Sequence, residues 1–134
     1  MTEDRAAEFA GSQPFADLIG VEVTSVTTDR VVAHLEWAAA RCTSGGMLHG
    51  GAVMSLADAV GGLVAFVNLP AGATGTTTVS SATQFTRGLR QGRATATARP
   101  LHVGRTTIVV ETDVRDDDDR LLARVTQTQA VLTG

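Results

Sequence analysis

At 134 residues the chain has the length of one domain, long enough to bury a core and too short for a second. Eleven basic against fourteen acidic side chains leave a net charge of -3, which argues against nucleic acid or an anionic membrane as the main partner. All the basic residues are Arg, and Tyr is absent too, so Schiff-base, lysine-nucleophile and phenolic-acid chemistry are excluded.

A single cysteine, Cys42, cannot form an internal disulfide. The opening "MTEDRAAEFA" is polar and acidic where a secretory signal would be basic and then apolar, so a cytoplasmic location is expected. One domain is expected over 1–134, with residues 1–13 peripheral or frayed. "PFADLIG", residues 14 to 20, starts at a Pro and ends at Gly20, as a short helical turn does. "VEVTSVTTDRVVAHLEW" then alternates with period two, which predicts two strands joined near Asp29 and Arg30.

From His49 the period changes. Val53, Leu56, Ala57, Val60, Leu63, Val64 and Val67 recur three and four apart until the run stops at Pro70, which predicts one long helix. Its other faces carry Ala52, Met54, Ala59, Gly61, Gly62 and Phe66, so it reads as apolar all round and buried. Its apolar window, 52–67, is too short and too broken to span a bilayer. Strand patterns follow in "TTTVSSATQF", "RATATARPL", "TTIVVETDV" and "LLARVTQTQAVL", the last two separated by the turn-like "RDDDDR". Two strands before one helix and four after it fit an α+β architecture, an antiparallel sheet wrapped around a central helix. The alternation of Ala and Thr in "RATATAR" suits a half-exposed sheet face.

Asp58 is the anomaly in this pattern. An ionised carboxylate in an apolar helix costs several kcal/mol unless it is paired, hydrated or protonated. The positions three and four away are Met54, Ser55, Gly61 and Gly62, which offer no cation. Asp58 caps or bonds a backbone group in a loop from elsewhere, reaches a wet edge, or serves a ligand, for which Gly61 and Gly62 clear space; the ligand reading is favoured. "HGG", at the helix start, offers backbone N–H groups at the positive end of the helix dipole, suited to an oxyanion. Gly50 and Asp58 lie eight residues apart, about 12 Å along one helix, so both cannot touch one carbonyl. If both serve one reaction they come from two subunits, which implies a two-fold dimer with antiparallel helices.

His49 is a base or a residue that fixes the loop, and the structural role is favoured. His34 and His102 make no metal-ligand spacing with Cys42, and no metal is expected. Asp116 to Asp119 lack the spaced ligands of a calcium loop and read as a solvated turn. Ser55 lacks the strand-to-helix elbow of a serine hydrolase. Arg87, Arg90 and Arg93, with Arg105 further on, are surface charges individually and a possible phosphate site as a group.

Three stretches resemble the hotdog-fold acyl-CoA thioesterases of the phenylacetic-acid-degradation type, the PaaI-like group: "GGMLHGGAVMSLADAVGG", "TTTVSSATQFTRGLRQG", and "HVGRTTIVVETDV" with its hairpin into "RLLARVTQTQAVL". The resemblance runs from about Phe15 to Leu132. It implies a hotdog fold, one long helix wrapped by five or six antiparallel strands, and hydrolysis of an acyl-CoA to a free acid and coenzyme A. By the same resemblance Asp58 is the essential carboxylate, as nucleophile or general base. Gly50 supplies the N–H that polarises the thioester carbonyl, and Gly51 completes the turn. Thr78, or Thr77 beside it, is the hydroxyl that positions the attacking water.

Thr43 stands where many such relatives carry Asn or Gln, and its hydroxyl reaches less far. The catalytic candidates are therefore Asp58, Gly50, Thr78, His49 and Thr43. Met54, Gly61, Gly62 and Phe66 are the expected acyl pocket, and Gly51, Arg87, Arg90, Gly104 and Arg105 the expected coenzyme A contacts. No separate cofactor is expected, since coenzyme A is part of the substrate. A homodimer is the expected minimal unit and a homotetramer the expected assembly. The rival readings are a hotdog-fold enoyl-CoA hydratase or dehydratase and a non-catalytic acyl-CoA-binding module.

Overall fold

The change of period at His49 marks the pivot of the fold. In the computed structural model, which describes residues 3–134, α1 (Ala6–Phe9), α2 (Pro14–Ile19), β1 (Glu22–Val26) and β2 (Val31–Glu36) precede the long helix α3 (Gly50–Phe66). After it come β3 (Ala73–Phe85), β4 (Arg93–Val103), β5 (Thr107–Arg115) and β6 (Leu121–Thr133). The strands form one antiparallel sheet in the order β1-β2-β4-β5-β6-β3, the layout of the hotdog fold. No helix among the described residues is long and apolar enough to cross a membrane.

Period-two patterning decides which side of the sheet meets the helix. Ala94, Ala96 and Ala98 of β4 are fully buried while Thr95 and Thr97 between them are half-buried. Their short side chains let α3 lie against β2, β4 and β5. Leu56, Val60 and Val64 fill the interface from the helix, and Leu35, Ile108, Val110 and Val114 from the sheet. The helix ends before Pro70, where the Asn68 amide donates to the Val64 and Thr28 carbonyls and ties its last turn to the β1–β2 turn.

Three sequence expectations change here. Of residues 1–13, expected to be peripheral or frayed, 1 and 2 lie outside the described residues, and 3–13 are peripheral but docked. The Asp4 carboxylate accepts from the Val26 N–H and the Ser25 hydroxyl, Arg5 N–H donates to Val26, and the Phe9 ring packs edge-on against Phe66. The long helix is not buried all round: Met54, Asp58 and Phe66 form an exposed face. Finally, β3 starts at Ala73, three residues before its predicted start, and β4 runs on to Val103. β3 is an edge strand of 13 residues, most of them exposed, paired on one side only to β6.

Candidate active site

Asp58 lies on the exposed face of α3, so the cost of burial anticipated from the sequence does not arise within the single chain. Its helical neighbours give it no partner, as the spacing required, and the partner comes from the last strand. Gln127 Nε2 donates to Asp58 Oδ1 at 2.9 Å. On β6 the inward positions run Ala123, Val125, Gln127, Gln129, Val131, so two amides interrupt an otherwise apolar row. Gln127 is fully buried.

Gln129, two residues on, is almost as buried and reaches β3. Its Nε2 donates to Thr78 Oγ1 at 2.6 Å, while the Thr76 hydroxyl donates back to Gln129 Oε1 at 3.2 Å and to the Ala130 carbonyl at 2.9 Å. Thr76 and Thr78 thus share the face of β3 that meets Gln129, and Thr77 between them borders the same cleft as Thr78. Because Thr78 Oγ1 accepts from the amide, its own proton is left for another acceptor. Asp58, Gly62, Phe66, Thr78 and Gln129 line a cleft of about 490 Å³, closed on its far side by Phe9, Ser12 and Gln13. Met54 borders a second recess of about 450 Å³ on the other side of Asp58, beside Phe15 and Ser81.

The helix start faces a different space. His49 is the N-cap of α3, and its Nδ1 accepts from the Gly51 N–H at 2.8 Å. The Ala52 and Val53 N–H groups are bonded to the His49 carbonyl. Among the described residues the Gly50 N–H has no acceptor, so it is the one donor of this turn left to a ligand. The Phe85 ring covers Gly50, with Cζ at 3.2 Å from where a Cβ would stand. Gly50, Thr43, Met47, Phe85 and Arg87 line a cleft of about 310 Å³. The expected candidates therefore fall into two groups, Asp58 with Thr78 and Gly50 with Thr43.

Several other candidates find structural employment. Gly61 does not open onto the acyl side; it is buried and the Gln127 amide occupies the space a side chain would need. Gly104 belongs to the tight β4–β5 connection, where a Cβ would lie 2.6 Å from His102 Nε2 and 3.0 Å from the Thr107 carbonyl oxygen. The arginines do not form one patch. Arg93 is engaged with Glu36, with Nε at 2.9 Å from Oε1, and Arg90 donates to the Gly45 carbonyl at 2.9 Å. Arg105 follows the far end of β4, roughly 33 Å along the strand from Arg93. Arg87 alone of the four borders the Gly50 cleft, and it shares with Arg90 and Arg120 a second depression also lined by Asp116, Asp117 and Asp118.

The remaining polar candidates are likewise placed. Ser55 donates to the Gly51 carbonyl, Cys42 to the Ala38 carbonyl, and His34 sits 3.2 Å from Glu22. Asp116 to Asp119 form the expected hairpin turn. Asp116 accepts from the Arg120 and Asp118 N–H groups and from the Arg120 guanidinium, and these bonds, led by the Arg120 N–H, hold its carboxyl below the usual range. Gln127 and Gln129 are the residues the sequence reading missed. Their signal was present, as two amides in phase with Val125 and Val131 on a strand whose other phase is Thr.

Comparison with known proteins matches residues 45–123 to the family model described as the thioesterase superfamily. PA1618 of Pseudomonas aeruginosa is 30% identical over 120 residues, covering 88% of this chain and 83% of the relative. The crystal structure of a mutant of PA1618, described as a thioesterase, superposes with a TM-score of 0.88 at 28% identity over 95% of this chain and 93% of that one. Rv1847 of Mycobacterium tuberculosis, described as an esterase, gives a TM-score of 0.87 at 27% identity, covering 91% of this chain and 98% of its own. The Escherichia coli PaaI protein shares the fold, with a TM-score of 0.86 at 19% identity over 97% of this chain and 92% of its own.

Proposed function

The chain belongs to the thioesterase superfamily, and on that premise we propose that it hydrolyses an acyl-CoA thioester to a free acid and coenzyme A. The observation that carries this reading is the Asp58 carboxylate, exposed at a cleft, fixed through one oxygen by a buried amide and flanked by the Thr78 hydroxyl. A positioned, ionised carboxylate is what thioester hydrolysis requires. It attacks the carbonyl carbon itself or takes a proton from the water that does. Either route develops negative charge on the thioester oxygen, and the unpartnered Gly50 N–H at a helix start is suited to receive it. In the base route, collapse of the tetrahedral species breaks the C–S bond and the departing thiolate takes up the proton that Asp58 removed from water. In the nucleophilic route, collapse expels the thiolate and leaves an acyl anhydride on Asp58, which water hydrolyses to the free acid, regenerating the carboxylate and supplying the thiol's proton.

Gly50 and Asp58 stand eight residues apart on α3, about 12 Å, and line separate clefts. In this reading each active site takes Asp58 and Thr78 from one subunit and Gly50 and Thr43 from its partner, so a homodimer is the minimal active unit, itself paired into a tetramer. The unpaired edge of β3 supports such an assembly, because a long exposed edge strand is a template for a second chain. The acyl group lies beside Asp58 near Met54, Gly62 and Phe66, and Arg87 at the rim of the Gly50 cleft takes a coenzyme A phosphate. No cofactor beyond the substrate enters the reaction, which runs in the cytoplasm.

The test is a panel of aryl-acetyl-, hydroxybenzoyl- and medium-chain acyl-CoAs read with a thiol-reactive dye. Thiol release is expected from the wild type, and Asp58→Asn is expected to abolish it while acyl-CoA binding survives. Full turnover by Asp58→Asn sinks the assignment. Tight binding across the panel with no cleavage replaces it with a binding module.

A further inference from the structure

Gln127 sits in a place where its polarity works against packing. Along the inner face of β6 it stands between Val125 and a second amide, Gln129, in an otherwise apolar row; it is fully buried, and its Oε1 has no hydrogen-bond partner among the described residues. That oxygen lies against Gly61 of α3, where any side chain would collide with it. The helix therefore gives up a side chain at residue 61 to admit an amide from residue 127, and one half of that amide is left unsatisfied. For stability alone an apolar side chain of the same length would serve better. The single bond the amide makes is the one from Nε2 to Asp58 Oδ1, at 2.9 Å.

We infer that Gln127 is a positioning residue for the thioesterase reaction, holding Asp58 Oδ1 through its amide so that Oδ2 is the oxygen presented to water or to the thioester. The inference rests on the reading of Asp58 as base or nucleophile. An exposed Asp side chain otherwise rotates about its terminal torsion and offers its two oxygens alternately. The Nε2 donor removes that freedom without placing a charge in the core, which an Arg or Lys would do. Gly61 is the complementary part of the device, since it sets the height at which the amide meets the helix. The chemistry of the bond also fixes which way the amide is turned, because only the NH2 end donates to an ionised carboxylate.

Gln127→Met keeps the length and removes the donor. On the panel thioester cleaved fastest, kcat is expected to fall roughly 10- to 100-fold, as for a misplaced reacting group, with KM nearly unchanged. The midpoint of thermal unfolding is expected to hold or rise, because the orphaned oxygen is gone. A merely structural role predicts the opposite pair, a lower midpoint and an unchanged kcat, and that result overturns the inference. Gly61→Ala displaces the amide without altering Gln127, and is expected to lower kcat to a similar degree. In the Gln127→Ala background Gly61→Ala is expected to cost no further rate and to restore stability, since the collision has vanished. This cycle decides the matter if Gln127→Met fails to fold: additive losses of kcat contradict the inference. Asp58→Asn, assayed beside these variants, separates the two levels. If it retains turnover the function itself is wrong, whereas a dead Asp58→Asn with a full-rate Gln127→Met removes only the positioning role.

Discussion

The start of α3 and the stretch around Asp58, two turns further on, solve opposite problems. At the start the atom proposed to act is a backbone N–H, and what leaves it free is local. His49 caps Gly51, the His49 carbonyl takes the next two N–H groups, and the Gly50 N–H is left over. Around Asp58 the atom proposed to act is on a side chain, and the amide bonded to it comes from 69 residues away. A donor supplied by the backbone is insensitive to rotamers and needs only a small residue beside it. A carboxylate is mobile and needs a buried partner.

Changes at the helix start sharpen this contrast most. Pro is compatible with the first helical position and lacks the N–H, while Ala keeps the N–H and adds the same Cβ against the exposed Phe85 ring. Gly50→Pro is expected to lower kcat by about 10²–10³, the cost of one oxyanion donor, and Gly50→Ala by far less. Steady-state kinetics of the pair check this, and equal losses point to crowding at Phe85 in place of a lost donor.

His49 carries the next largest effect. As a cap its loss in His49→Ala is expected to cost about 1 kcal/mol of unfolding free energy, and His49→Ser, which restores a side-chain acceptor, to recover most of it. Urea unfolding of the three proteins measures the pattern. If activity is lost equally in the Ser and Ala variants while both stay folded, His49 acts in the chemistry and the helix start is more than a backbone device.

A smaller effect concerns the stability of the fold in acid. Asp113, next to β6, accepts from Arg124 Nε at 2.8 Å, and that bond, with Arg115 assisting, holds its carboxyl below the ordinary value of 3.8 against the opposing pull of burial. A depressed folded value stabilises the protein above the unfolded value and ceases to do so as pH falls through the folded one. Asp113→Asn is therefore expected to cost up to about 1 kcal/mol at neutral pH, the pair being partly screened by water. That difference is expected to shrink as pH drops below about 4. Unfolding midpoints across pH for both proteins test the sign, and a gap that widens in acid contradicts it.

What the sequence made legible was whatever is local along the chain. Three- and four-residue spacing located α3, alternation located the first two strands, Val, Ile and Thr runs broken by Gly or Asp located the other four, and the glycines beside His49 pointed to the free N–H. The sequence also showed that Asp58 lacked a helical partner, but period alone could not say where its partner was. Gln127 meets Asp58 only because β6 follows β5 back across the sheet, a relation between residues 69 apart. Gly61 was misread for the same reason, as open space when it is space already filled by that amide. For the arginines, closeness in sequence along a turn did not reveal that Arg93 is paired with Glu36 and that Arg90 also donates to the Gly45 carbonyl.

In the dimer proposed above, the helix start of one subunit completes the Asp58 site of another. Mixing separately inactive Asp58→Asn and Gly50→Pro proteins, with subunits exchanged by brief denaturation and refolding, tests it directly. A mixed dimer holds one intact site out of two, so a one-to-one mixture is predicted to regain about a quarter of the wild-type thiol-release rate. A mixture that stays as inactive as its two components contradicts the claim.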